Sequence, residues 1–270
     1  MLRRLTATSS RPPAPAPQLH CCHPSGRVCI PTSVVNVVCM KWGTRYGAVY
    51  VNRLRNMVRR QLTLAHRFVC FTDDSAGIQS DVEIRPLPVV RKPPGPEQYW
   101  NVLGLFAKPL ADLEGPVLKL DLDLVIVDRI DCFFELPGSF VIAREFSRNA
   151  GPMAGNGSVF RFIAGAHAEV LAGFEQEAAN IAARYQYDQD YMSAHIRPLS
   201  FWTEPWCVSF RRHCMYSFPW FYFRTPHVPA GARIVAFHGF PNPPDAERGY
   251  FRLRGLKFCR PVAWVREHWR

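Results

Sequence analysis

Asp121 and Asp123 stand two residues apart in Leu118-Lys-Leu-Asp-Leu-Asp-Leu-Val-Ile-Val127. Side chains at i and i+2 of a strand share a face, so the spacing predicts both carboxylates on one side of a buried strand. Two buried carboxylates without a counter-charge repel and are costly to desolvate. One divalent cation between them removes that cost. The bland alternative is a loop in which both acids face water.

Positioning these acids takes a scaffold, and the sequence supplies one. Val34–Met40 is β-rich, and Tyr46–Leu62 carries Val51, Leu54, Val58 and Leu62 at helical spacing. His66–Phe71 predicts a second strand that runs into the polar loop Thr72-Asp-Asp-Ser-Ala-Gly77, and Val82–Leu87 predicts a third. Arg91-Lys-Pro-Pro-Gly-Pro96 reads as a long loop suited to a lid. Trp100–Leu113 predicts a helix bent at Pro109, and Pro116–Leu120 a buried strand running into Asp121-Leu-Asp123, after which Leu124–Val127 resumes the apolar run. Further on, Phe140–Arg144, Ser158–Ile163 and Ile234–Phe237 predict strands, and Gly165–Arg184 and Asp188–His195 predict helices. Alternating β and α argues for an α/β fold around a mostly parallel central sheet. Residues 33–247 form the predicted domain, flanked by a Pro/Arg-rich, disordered N-terminal arm at 1–32 and a basic, aromatic C-terminal extension at 248–270.

The 270 residues are 48% apolar, enough for a sizeable core, and no apolar run approaches the roughly 18 residues of a membrane span. The net charge is +11, of which Arg3, Arg4, Arg11 and Arg27 in the acid-free arm contribute +4. Such a balance suits an anionic partner or simply a solvated surface. The nine cysteines include no C-x-x-C pair, and Cys39 and Cys70 sit in strand-like runs as small hydrophobes. That usage fits a reducing cytoplasm. His20-Cys-Cys-His23 offers soft ligands, but four consecutive side chains cannot easily surround one ion.

The D-x-D segment resembles that of the GT-A class of glycosyltransferases, and other blocks extend the likeness in order. Lys41-Trp-Gly-Thr-Arg-Tyr46 looks like the first βα turn, and Phe71-Thr-Asp-Asp74 like the second strand end. Gly115–Val127 is similar to the "vLYLDsDvlv" segment of family-8-like members. Asn156-Gly-Ser-Val-Phe160 resembles the donor-sugar strand, Tyr187-Asp-Gln-Asp190 the "D-Q-D" helix start, and Phe237-His-Gly-Phe-Pro-Asn-Pro243 a shortened closing element.

The resemblance implies a GT-A, Rossmann-like fold and transfer of a sugar from a nucleotide-diphosphate-sugar, with a UDP-sugar the guessed donor and the acceptor unknown. Asp121, Asp123 and His238 would hold Mn2+ or Mg2+; a nitrogen beside two oxygens suits Mn2+ better. Lys41, Trp42, Tyr46, Asp73, Asp74 and Asp121 would meet the nucleotide. Asn156, Asp188 and Gln189 would bond the sugar hydroxyls, with Asp190 and Gln189 nearest the anomeric carbon. Acids at 188 and 190 also suit plain capping of a helix N-terminus. Two departures stand out. Val102 and Asn242 replace basic residues that often meet the donor, leaving Lys108, Arg91 or Lys92 to compensate.

Other classes compete. A haloacid-dehalogenase-like phosphohydrolase also opens on D-x-D, but near the start of its domain. A nucleotidyltransferase would want a Gly-rich, basic loop after the first strand. A non-catalytic basic module is suggested by Arg248, Arg252, Arg254, Lys257, Arg260, Arg266 and Arg270 interleaved with aromatics. Such a tail either contacts an anionic surface or packs its rings on the domain.

Overall fold

The computed structural model describes residues 34–95, 98–147, 149–252 and 257–270. The N-terminal arm, with its His-Cys-Cys-His run, lies outside the described residues. In chain order the strands are β1 Val35–Lys41, β2 His66–Thr72, β3 Glu83–Pro86, β4 Pro116–Leu120, β5 Leu124–Ile126, β6 Phe140–Arg144, β7 Gly155–Ile163, β8 Ser200–Phe201, β9 Cys207–Ser209, β10 Ile234–Ala236, β11 Tyr250–Arg252 and β12 Lys257–Cys259. The α-helices are α1 Ala48–Gln61, α2 Ala168–Gln176, α3 Ala178–Arg184, α4 Asp188–His195, α5 Pro243–Arg248 and α6 Ala263–His268.

Seven strands form the central sheet in the order β3-β2-β1-β4-β7-β6-β8. The first four are mutually parallel, β7 runs against both β4 and β6, and β8 is parallel to β6. This is the α/β architecture expected. Near-continuous apolar runs such as Val-Asn-Val-Val-Cys-Met in β1 follow from burial on both faces. Val35, Val37 and Cys39 face a core shared with α1, whereas Val38 and Met40 face a second core with α2, α4 and the 3-10 helix Tyr99–Phe106. Strand order reverses between β1 and β4, and ligands of open α/β sheets bind at the carboxyl ends of strands beside such a switch.

Three expectations need correction. The acids are not on a strand: β4 ends at Leu120, and Asp121-Leu-Asp123 form a turn. Asp121 N–H donates to Ser158 O at 2.9 Å, Leu122 turns into the α1 core, and β5 then joins a separate sheet, β5-β10-β9. The helix expected over 100–113 is a 3-10 helix that stops at Phe106, because Lys108 precedes a proline and such residues avoid the α region. The helix expected over 165–184 starts at Ala168 and breaks at Glu177, whose N–H closes α2 on Phe174 O.

The last residues pack into the domain. Cys259, Val262, Val265 and Trp269 are buried in the α1 core, and Trp269 lies edge-on to Tyr50 at 5.2 Å with the Arg53 guanidinium 4.0 Å over its ring.

Candidate active site

The carboxyl ends of β1, β2 and β4 come together, as the switch point demands. Lys41, buried at the end of β1, donates through Nζ to Asp74 O at 2.9 Å, and Gly43 N–H donates to Asp73 Oδ2 at 2.9 Å. Asp74 also accepts from Ala76 N–H, which with Lys41 holds its carboxyl below the usual range. Both aspartates therefore brace the turn after β2 while remaining exposed. Trp42 packs half-buried against the α2/α4 core.

In the turn after β4, Tyr46 Oη donates to Asp123 Oδ2 at 2.7 Å, and the Arg45 guanidinium lies 5.2 Å from the Tyr46 ring. Burial, then the neighbouring Asp121, pushes the Asp123 carboxyl up to about 7. Burial, then Asp123, pushes the Tyr46 phenol well above its ordinary value. Phe237 N–H donates to Asp123 O at 2.9 Å, which ties the end of β10, and so His238, to this turn. His238 Nε2 lies 2.6 Å from Ser209 Oγ, its ring stacks on Phe146 at 5.8 Å, and burial lowers its pKa.

Beneath the turn sits Lys119, a buried cation that sequence reasoning passed over. Val117 and Lys119 share one face of β4, and Asp121 follows just past its end. The Lys119 ammonium donates to Asp121 Oδ1 and, at 2.7 Å, to Gly157 O. Its charge also favours the ionised form of buried Asp188, where desolvation dominates and pushes the carboxyl up to about 7.

β7 makes the far wall. Its register against β6 jumps, since Ile142 pairs with Phe160 but Ala143 pairs with Asn156. The intervening residues leave β6 and follow β4, where Leu120 pairs with Val159. Gly157 N–H donates to Gln189 Oε1 at 2.9 Å. Gln189 Nε2 and Asn156 Nδ2 donate to Glu145 Oε2 at 3.0 and 3.1 Å. Glu145, just beyond β6, thus joins Asn156 and Gln189. The sequence held no signal for it beyond its place after a strand. Asp190 Oδ2 accepts from Tyr187 N–H at 3.2 Å in a capping box that opens α4.

Asp121, Asp123 and His238 come from one corner, yet each side chain bonds a protein partner. Among the described residues, no three His, Cys, Asp or Glu side chains are grouped to hold one ion. The donors still fit a divalent cation in kind: two neighbouring carboxylates, with the charge of Asp121 helping to raise the Asp123 carboxyl and only Asp121 matched by an ammonium. Val102 is buried in the core and offers the site nothing, and Asn242 stands at the start of α5, where its N–H donates to Asp245 Oδ2 at 2.9 Å. Lys108 packs beside Gly165, Arg91 pairs with Glu175 and Lys92 with Gln98 and Asn101. The phosphohydrolase reading loses its premise, since D-x-D follows the fourth strand of the sheet.

No family model matches the chain, and no curated protein matches it in sequence. Solved structures do. The galactosyltransferase LgtC, in complex with donor and acceptor sugar analogues, is similar with a TM-score of 0.55 at 15% identity over 77% of this chain and 88% of that one. An active-site mutant of LgtC is similar with a TM-score of 0.51 at 13% identity, over 82% and 91%. The bifunctional glycosyltransferase WbbM gives a TM-score of 0.55 at 12% identity over 78% of this chain, which spans about half of WbbM (47%). The chain therefore has the GT-A fold.

Proposed function

We propose that this chain is a glycosyltransferase that moves a sugar from a nucleotide-diphosphate-sugar, with a UDP-sugar the first candidate, to an acceptor still to be identified. The observation that carries the reading is the joining of the D-x-D turn, β7 and α4 by Lys119, Gln189 and Glu145 at the carboxyl ends of a GT-A sheet. The structural neighbours are glycosyltransferases, which supports the same class.

In this reading Tyr46 and Trp42 flank the base, and Asp73 or Asp74 meets its edge or the ribose. Lys41 fixes the loop that carries both aspartates. Asp121 and Asp123, with His238 turning from Ser209, would hold Mn2+ or Mg2+. Such an ion supplies Lewis-acid stabilisation of a leaving nucleoside diphosphate. Asn156, Asp188 and Gln189 orient the sugar hydroxyls, and orientation alone removes much of a bimolecular barrier. Asp190 stands one position beyond Gln189, as the carboxylate for the anomeric centre. A cavity of about 250 Å³ bordered by Glu145, Phe146, Trp202 and His213 opens beside this network and offers room for an acceptor.

No helix among the described residues is long and apolar enough to cross a membrane. Among the described residues six free thiols, four of them buried, suit a reducing compartment, and we place the protein in the cytoplasm.

The test is thermal melting with a panel of nucleotide-sugars, with and without Mn2+, since a ligand bound only to the folded state raises Tm. A cognate donor should raise Tm and be hydrolysed slowly. No shift and no hydrolysis across the panel would refute the reading.

A further inference from the structure

The chain from Cys214 to His227 leaves the domain as a loop closed at its base by His227 N–H donating to Cys214 O at 3.1 Å. Phe218, Trp220 and Phe223 on this loop are 72%, 55% and 71% exposed, and Phe251 on β11 is 67% exposed. A run of ring contacts links Phe218 to Phe251. Phe218 meets Phe221 and Tyr222 at 6.0 and 6.3 Å, Tyr222 meets Phe258 at 5.2 Å, and Phe258 meets Phe251 at 6.3 Å. The support is firm as well: Arg260 Nη1 donates to Tyr222 O at 3.1 Å, and Trp264 Nε1 donates to Pro226 O at 3.0 Å.

The two segments that carry the rings are basic, with Asp245 the acid that reaches Tyr250. No Asp or Glu occurs between residues 205 and 244, nor between 248 and 266. Arg211, Arg212, Arg224, Arg252 and Arg260 are exposed, and none pairs with an acid among the described residues. Arg224 lies over the rings of Tyr216 and Trp220 at 5.4 and 5.6 Å. Beside the rings, an open groove of about 460 Å³ is lined by Arg248, Tyr250, Phe251, Phe258 and Arg260.

Exposed apolar rings clustered in one patch mark an interaction surface. Rings ringed by arginines match the water–hydrocarbon boundary, where aromatics settle at headgroup depth and cations are drawn to anionic lipid. Single-stranded nucleic acid asks for open ring faces on which bases stack. Here Phe218 meets Phe221 and Tyr222, and Phe251 meets Phe258, edge-to-face at 61°, 79° and 78°, which makes a clustered apolar patch rather than a ladder of parallel ring faces.

We propose that the face built from the 214–227 loop and the paired strands β11 and β12 docks on an anionic lipid surface. Phe218, Trp220, Phe223 and Phe251 enter the interfacial layer, and the Arg248–Arg260 groove takes headgroup phosphates. This relocates the contact that the sequence suggested for the tail as a whole, because Trp269 is committed to the core. The proposal does not depend on the catalytic reading.

The test is co-sedimentation of the full chain with vesicles of phosphatidylcholine, alone or mixed with phosphatidylglycerol. The protein should sediment with the mixed vesicles only, and F218S/W220S/F223S should lower its partitioning about tenfold or more while melting like the wild type. Should the triple variant melt lower, W220F replaces it, and quenching of tryptophan emission by brominated lipid should drop relative to wild type. No sedimentation with mixed vesicles, undiminished binding by the triple variant, or undiminished quenching in W220F would each overturn the proposal. So would single-stranded DNA displacing the protein from vesicles through binding that the triple variant loses.

Discussion

Lys119, on β4, donates to the carboxylate of Asp121, the first residue beyond the strand. The D-x-D turn thus carries one cation of its own. A buried ammonium is tolerated only when paired and hydrogen-bonded, and Asp121 together with the Gly157 carbonyl meets both needs.

Lys119→Met should destabilise the fold by roughly 2–3 kcal/mol, less than a wholly buried pair because Asp121 is partly exposed. Chemical denaturation measures it. Unaltered stability would show that the ammonium is not holding the turn to β7.

Asp123→Asn should fold without loss, because the amide oxygen can still accept from Tyr46 and the burial penalty on a charged carboxylate disappears. Calorimetry should find Mn2+ and nucleoside-diphosphate binding abolished. Retained Mn2+ affinity in the folded variant contradicts the metal assignment.

Asp190→Asn keeps an oxygen for the Tyr187 N–H and removes the charge. Donor hydrolysis should fall by about two to four orders of magnitude with donor affinity little changed. Hydrolysis at the wild-type rate would reduce Asp190 to a helix cap.

Glu145→Gln leaves one accepting oxygen where the carboxylate has two, so its amide NH2 must face either Asn156 and Gln189 or the Ser147 N–H. Losing hydrogen bonds to a charged acceptor costs about 1.5–3 kcal/mol, so kcat/KM for donor hydrolysis should drop roughly ten- to hundredfold. An unchanged value would make the contact incidental.

The strands around the switch point were readable because full burial leaves few choices: β1, β2, β4 and β6 fall within a residue or so of their expected bounds. Helix α4 was readable from acids that cap it. The D-x-D turn was misjudged because a strand and a turn look alike when Leu122 and Leu124 are apolar in both. Lys119 and Glu145 escaped notice for a different reason. Their significance lies in partners 38, 11 and 44 positions away, and no local pattern encodes those distances. Nor does periodicity reveal where a tail's aromatics go, and only packing distinguishes Trp269 from Phe251.

The register jump in β7 has an evolutionary corollary. A residue inside a ladder inherits its coordinates from its neighbours' main chains, which substitution barely alters. Gly157 instead is gripped by side chains at both its amide and its carbonyl. A change at Gln189 can therefore shift that backbone without disturbing the sheet, whereas a change at Lys119 also reaches the stability of the fold.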